Sequence, residues 1–247
     1  MPTFFVASEA VTPPTVRITG PLLRHLRESL RLHPGDTLTV TDDRGLRYRT
    51  EVLEVTAKHL IGRIIDAITA PAKTSPSLIL AQALLKGEKM DWVIQKATEL
   101  GVDRIVPIHA THSVVKLHTD RTEHQLARWQ RIALEAAQQS ERWSVPNIDE
   151  PAKISELLTR YGTTRTSRIM LAERSTGFSL QTIALPTEPQ DNVLLLIGPE
   201  GGWAKEELRL AEDQGYAAIT LGPRILRAET AAIAVISILQ SRTGKLG

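Results

Sequence analysis

Leu196-Ile197-Gly198-Pro199-Glu200-Gly201-Gly202-Trp203 and Leu221-Gly222-Pro223-Arg224-Ile225-Leu226-Arg227-Ala228-Glu229-Thr230 decide how this chain folds. Each follows an apolar run and precedes a helical pattern, so each predicts a loop leaving the carboxyl end of a strand. Glycines in such a loop let main chain approach a ligand, and the helix N-terminus beyond it offers unpaired N–H groups. A phosphate-cradling P-loop is excluded, because no Gly-Lys-Ser or Gly-Lys-Thr run stands at the required spacing. Gly198, Gly201 and Gly202 also miss the spacing of a dinucleotide fingerprint. Neither loop carries a lysine for a phosphate, and apolar Leu221, Ile225 and Leu226 bracket the second. An adenosine without phosphates fits better.

Working outward, apolar runs alternate with helical spacing. Leu78–Leu84, Arg104–Ile108, Arg168–Leu171, Val193–Ile197 and Ala217–Leu221 predict strands. Asp91–Leu100, Thr122–Gln139, Lys153–Arg160, Ala204–Gln214 and Ala231–Arg242 predict helices, with Thr230 as N-cap of the last. The alternation implies an α/β domain with a mostly parallel sheet, whose ligands gather at strand carboxyl ends. Glu206 and Glu207 are explained by the helix dipole and are left out of the site. Trp203 reads as a packing residue. The last helix is so apolar that it must be buried, within the chain or against a second copy.

Nearer the N-terminus, Thr37–Val40, Leu46–Val55 and His59–Ile68 predict short strands, the first two joined by an Asp42-Asp43-Arg44-Gly45 turn. Leu22, Leu23, Leu26 and Leu30 predict one short helix ahead of Pro34-Gly35. Thr69–Pro76, with two prolines among small polar residues, reads as a linker. The expected division is a β-rich domain over 1–72 and an α/β domain over 73–247.

The chain has 247 residues and no cysteine, which removes disulfides, thiolate nucleophiles and cysteine-held metals from consideration. No apolar stretch is long enough to span a bilayer and no leader pattern is visible, so the expectation is a cytoplasmic protein. A net charge of +2 gives no general attraction to nucleic acid. Locally, however, Arg17, Arg24, Arg27, Arg31, Arg44, Arg47 and Arg49 outnumber the acids around them, and arginine suits phosphate forks and base stacking. As a group they predict an RNA contact, although any one of them suits a solvated face as well.

These residues together carry a resemblance to a known family. The two glycine loops, the latter running on through Ala231, resemble the paired motifs of the ribosomal RNA small subunit methyltransferase E family. The likeness continues in Gln82, Lys86-Gly87, Met90-Asp91, Ile94–Val102, Glu135-Ala136-Ala137, Gln139-Ser140, Arg142 and Val145-Pro146. It reaches His25-Leu26, Leu30-Arg31-Leu32 and Gly35-Asp36 in the first domain. It implies a SPOUT-type, trefoil-knotted α/β domain with a mostly parallel sheet, preceded by a small PUA-like barrel that docks RNA. S-adenosylmethionine is the implied cofactor, on Leu196, Gly198, Pro199, Glu200, Gly201, Gly202, Leu221, Gly222, Ile225 and Leu226. Ile225 and Leu226 would flank the adenine, and main chain of Leu221, Gly222 and Leu226 would read its edge.

The implied reaction is methylation of N3 of one uridine of 16S ribosomal RNA, position 1498 in the standard ribosomal scheme, in the assembled small subunit, by a homodimer. That nitrogen carries a proton, so a base and an anion-stabilising cation are both needed. Arg227 is the candidate cation, and Glu200 or Glu229 the candidate base, with a purely structural role open for each acid. Lys86 and Arg142 join Arg17, Arg24, Arg27 and Arg31 as candidate RNA contacts, whereas Lys96 and Glu99 suit a helix-surface ion pair. Thr111-His112 departs from the acidic residue and arginine common in the family before Val115-Lys116-Leu117. His112 is then either an RNA contact when protonated or inert. His109, His112 and His118 suggest no complete ligand set, and metal independence is expected. Two rivals stand beside this function: the same chemistry on another RNA such as transfer RNA, and a non-catalytic RNA-binding assembly factor.

Overall fold

The computed structural model of the chain describes residues 3–115, 119–161, 165–172 and 178–246. Contacts divide them into two units, 1–72 with 137–144, and 73–136 with 145–247.

The first unit holds β1 (Thr3–Val6), β2 (Val11–Thr12), β3 (Thr15–Ile18), α1 (Gly20–Glu28), β4 (Thr37–Asp42), β5 (Leu46–Val55) and β6 (Leu60–Thr69). They form one curled sheet in the order β1-β4-β5-β6-β3-β2, antiparallel except where β1 joins β4. Register shifts in β5 at Arg49/Thr50 and Val52/Glu54 bend the two long strands. The predicted turn forms because buried Asp42 accepts hydrogen bonds from the N–H groups of Arg44 (3.0 Å) and Leu46 (2.8 Å). Its other oxygen accepts from Tyr48 Oη at 3.0 Å. Leu23 and Leu26 of α1 complete a core with Phe4, Val40 and Leu60.

The stretch 137–144 packs with this unit rather than with the α/β unit expected from sequence. Arg47 accounts for much of that. Its Nη2 donates to the carbonyls of Glu141 (3.1 Å) and Arg142 (2.8 Å), and its guanidinium lies 3.9 Å from the Trp143 ring centre.

The second unit runs β7 (Ser77–Ala83), α2 (Lys89–Glu99), β8 (Arg104–His109), α3 (Thr119–Gln139, whose end passes into 137–144), β9 (Asn147–Ile148), β10 (Ala152–Lys153) and α4 (Ile154–Arg160). It continues with β11 (Thr166–Leu171), β12 (Phe178–Ser179), β13 (Asn192–Ile197), α5 (Lys205–Asp213), β14 (Ala217–Thr220) and α6 (Ala228–Arg242). The sheet order is β10-β8-β7-β13-β11-β14-β12, with β9 also on β8, and every pairing described is parallel. Successive residues of β7 and β13 serve opposite faces, because strand side chains alternate. Leu80, Val193, Leu195 and Ile197 join the cluster of α2 and α6, which includes Ile94 and Val235. Ile79, Leu194 and Leu196 join that of α4 and α5, which includes Leu157 and Ala211. Helix α6 begins at Ala228 with extended Arg227 as its N-cap, so Thr230 lies inside the first turn and does not cap.

Candidate functional site

Strands β13, β11 and β14 are neighbours pointing the same way, and the chain leaves their carboxyl ends beside one cavity of about 770 Å³. Residues 198–203 after β13, residues 171–172 at the end of β11, and residues 220–228 after β14 line it. The two glycine loops thus meet around the end of β11, the crevice where parallel sheets bind ligands.

Of the residues assigned from sequence to the cofactor, Gly198, Pro199, Glu200, Gly201, Gly202, Leu221, Gly222, Ile225 and Leu226 line the cavity. Leu196 does not: it is fully buried on the opposite sheet face, and its neighbour Ile197 takes the wall position. Arg227 lines the cavity and is exposed, while Glu229 is not among its lining residues. Ile225 is 61% exposed although apolar, an unpacked surface that a flat ring would cover.

Two of the glycines answer to protein neighbours. A Cβ on Gly198 would stand 3.0 Å from the Trp203 ring, and one on Gly201 would stand 2.9 Å from His112 Cβ and 3.2 Å from its carbonyl. Trp203 does more than pack. Its Nε1–H donates to the Leu171 carbonyl at 2.8 Å, fastening the first loop to the end of β11. His112 Nδ1 lies 3.2 Å from the Gly202 carbonyl, so with that nitrogen protonated it braces the same loop. Glu207, set aside from sequence as a dipole partner, is 6% exposed and accepts from the N–H groups of Thr111 (2.8 Å) and Ala204 (2.9 Å) and from Thr111 Oγ1 (3.0 Å). The Ala204 contact is a local one three residues away, but no local sequence signal marks the bonds to Thr111, which stands 96 positions from Glu207.

The electrostatics centre on Glu200. Burial works to raise its pKa. A 3.0 Å hydrogen bond from Lys89, its own N–H, the Lys89 charge and the Lys86 N–H outweigh burial and hold the carboxyl below its usual range. Lys89, missed in the sequence reading, also lies 3.8 Å from Glu229 Oε1. Lys96 pairs with Glu99 at 2.8 Å as expected for a helix surface. Burial lowers the pKa of His109, and among the described residues no three His, Cys, Asp or Glu side chains come together to hold a metal. His118 lies outside the described residues.

In the first unit Arg17, Arg24 and Arg31 are exposed, and Arg27 pairs with Glu28 at 2.7 Å. Lys86 is exposed beside the cavity-lining Glu200. Arg142 is half-buried in the stretch that Arg47 binds. No helix among the described residues is long and apolar enough to cross a membrane.

Comparison with known proteins gives this architecture its class. Residues 73–240 match the model of the RNA methyltransferase domain, and residues 18–65 that of the RNA methyltransferase PUA domain. The ribosomal RNA small subunit methyltransferase E of Bacillus subtilis is 32% identical over 93% of this chain and 91% of its own. The enzyme of that name from Neisseria gonorrhoeae, solved with S-adenosyl methionine bound, superposes with a TM-score of 0.87 at 30% identity over 98% of both chains. A Legionella pneumophila structure, also holding the cofactor, has a TM-score of 0.87 at 27% identity over 97% of both. The chain belongs to the ribosomal RNA small subunit methyltransferase E family.

Proposed function

We propose that this chain transfers a methyl group from S-adenosylmethionine to N3 of one uridine in small-subunit ribosomal RNA. The observation that carries the reading is the joint placement of a cation and a carboxylate, Arg227 and Glu200, on the wall of the cavity that the two glycine loops build. The cofactor suits that cavity: Ile225 and Leu226 offer apolar surface for a base, and main chain of Leu221 and Gly222 stands beside them. The bound cofactor supplies a methyl group, its carbon–sulfur bond breaking with the electron pair going to sulfur as the uracil N3 pair forms the new bond. Glu200 accepts the N3 proton and passes it to solvent. Arg227 stabilises the negative charge that loss of the proton spreads onto the uracil carbonyl oxygens. Glu229 supports Glu200 from outside the cavity.

RNA is held in this reading by Arg17, Arg24, Arg27 and Arg31 of the 1–72 domain and by Lys86 and Arg142. The substrate is the assembled small subunit in the cytoplasm. A homodimer with a trefoil-knotted 73–247 domain belongs to the same reading. It is supported by the apolar character of α6, where Ile238 stays 39% exposed.

The test is methyl incorporation from labelled cofactor into small subunits, free ribosomal RNA and transfer RNA, each from a strain lacking the protein. Label in the small-subunit RNA supports the reading. Label confined to transfer RNA moves the substrate, and cofactor binding without label makes the protein an assembly factor.

A further inference from the structure

Lys89 opens α2, and its ammonium stands between two carboxylates from separate parts of the chain. Glu200, in the loop after β13, accepts its hydrogen bond at 3.0 Å, and Glu229, in the first turn of α6, lies 3.8 Å away. The contacts are sheltered, with the Glu200 side chain 27% and that of Glu229 14% exposed, so solvent screens them less than an open surface pair. Of the other cations, Lys96 pairs with Glu99 and Arg128 holds Asp91 at 2.7 Å, whereas Lys86 meets Glu200 through its main-chain N–H and Arg227 lines the same cavity. Glu229 Oε2 is buried with no hydrogen-bond partner among the described residues, an acceptor that gains most when a cation sits beside it. Removing the lysine would take from Glu200 the cation that holds its carboxylate ionised.

We infer that Lys89 is a positioning residue for methyl transfer, fixing the Glu200 carboxylate at the cavity wall while Glu229 acts through Lys89 as its second anchor. This rests on the reading that Glu200 receives the uridine proton. Geometry separates the two acids that sequence could not: Glu200 lines the cavity, and Glu229 meets Lys89 outside the lining. The depressed pKa of Glu200 agrees with such a clamp, since the Lys89 bond is the leading contribution opposing burial.

Two measurements on the full chain test it. The first is a carbon-13 NMR titration of the Glu200 carboxyl, assigned with Glu200→Gln. The second is the pH profile of single-turnover methylation of small subunits at saturating cofactor. In Lys89→Met the titration and the acid limb of the profile are expected to move together to higher pH by about one unit, an approximately tenfold rate loss at pH below both values. Lys89→Arg should restore both, and Glu229→Gln, which deletes a negative charge beside the same ammonium, should move both slightly the other way, to lower pH. An unmoved Glu200 titration in Lys89→Met overturns the clamp. A moved titration with an unmoved acid limb, or with only cofactor affinity altered, overturns its role in methyl transfer. If Lys89→Met does not fold, Lys89→Gln against the parent decides by the same two readouts. The titration is independent of turnover, so a parent that methylates no RNA would refute the proposed function while the clamp itself is still judged.

Discussion

The Glu207 carboxylate accepts hydrogen bonds from both the main-chain N–H and the hydroxyl of Thr111, at 2.8 and 3.0 Å, in a position only 6% exposed. Its other oxygen takes the Ala204 N–H, so one side chain joins the segment after β8 to the loop that walls the cavity. Charge-assisted bonds of this kind are strong, and losing the acceptor leaves buried donors unsatisfied. Glu207→Ala should therefore lower stability by about 2–4 kcal/mol, read in a urea titration, and weaken cofactor binding by calorimetry. A variant as stable as the parent would show that the carboxylate is dispensable.

Gly201→Ala places a methyl group against His112 main chain, which cannot swing aside as a side chain end would. The expected cost is about 1–3 kcal/mol, with a raised cofactor Kd, because the same loop lines the cavity. Gly202, whose φ is 71°, tolerates alanine poorly for a different reason, the left-handed backbone. Binding by Gly201→Ala at parental affinity would mean that the loop absorbs the clash.

Trp203→Phe deletes the bond to the Leu171 carbonyl together with the part of the indole that packs on Gly198. We expect a loss of about 1 kcal/mol, or roughly fivefold in cofactor Kd, without change in the methylation rate at saturating cofactor. A fall in that rate with Kd intact would place the indole N–H in the chemistry instead.

Tyr216 is 4% exposed, and its hydroxyl has no hydrogen-bond partner among the described residues. Burial pushes its pKa up to about 12 against an ordinary value of 10.0, Arg168 opposing the shift. An acid with a raised folded-state pKa favours the folded chain fully below the unfolded value, and that contribution is lost as pH climbs from the unfolded toward the folded value. Alkaline unfolding should therefore steepen between those two values in the parent. Tyr216→Phe should remove that component and leave stability at neutral pH unchanged or slightly higher, since an unpartnered hydroxyl is deleted. Marked destabilisation at neutral pH would reveal a partner for the hydroxyl.

Arg227→Ala should reduce single-turnover methylation by about 10²–10³-fold, the usual cost of deleting one donor to a developing anion, with cofactor affinity little changed. Parental rates would remove Arg227 from the chemistry.

What could be seen in the sequence follows from how local each cause is. β7 and β13 were legible because strands buried on both faces read as apolar runs. The two-residue strands β9, β10 and β12 carry no period to detect. β1 is too short to stand out, and its parallel pairing with β4 is a non-local event. The start of α6 was misplaced because Arg227 caps by backbone conformation alone, while Thr230 only resembles a cap. The cavity was foreshadowed by the two glycine loops, yet choosing Ile197 over Leu196 needs the face each strand residue serves. Lys89 and Glu207 act across about a hundred residues of chain, and Arg47 across a similar span, so their partners exist only once the fold has brought them together.

The most direct test of the account is to digest small-subunit RNA after incubation with the protein and labelled S-adenosylmethionine, and to identify the methylated nucleoside by mass spectrometry. The account predicts 3-methyluridine at a single position, formed by the parent and strongly reduced with Arg227→Ala. A methyl group on the ribose, on another base atom or on another nucleoside would contradict it.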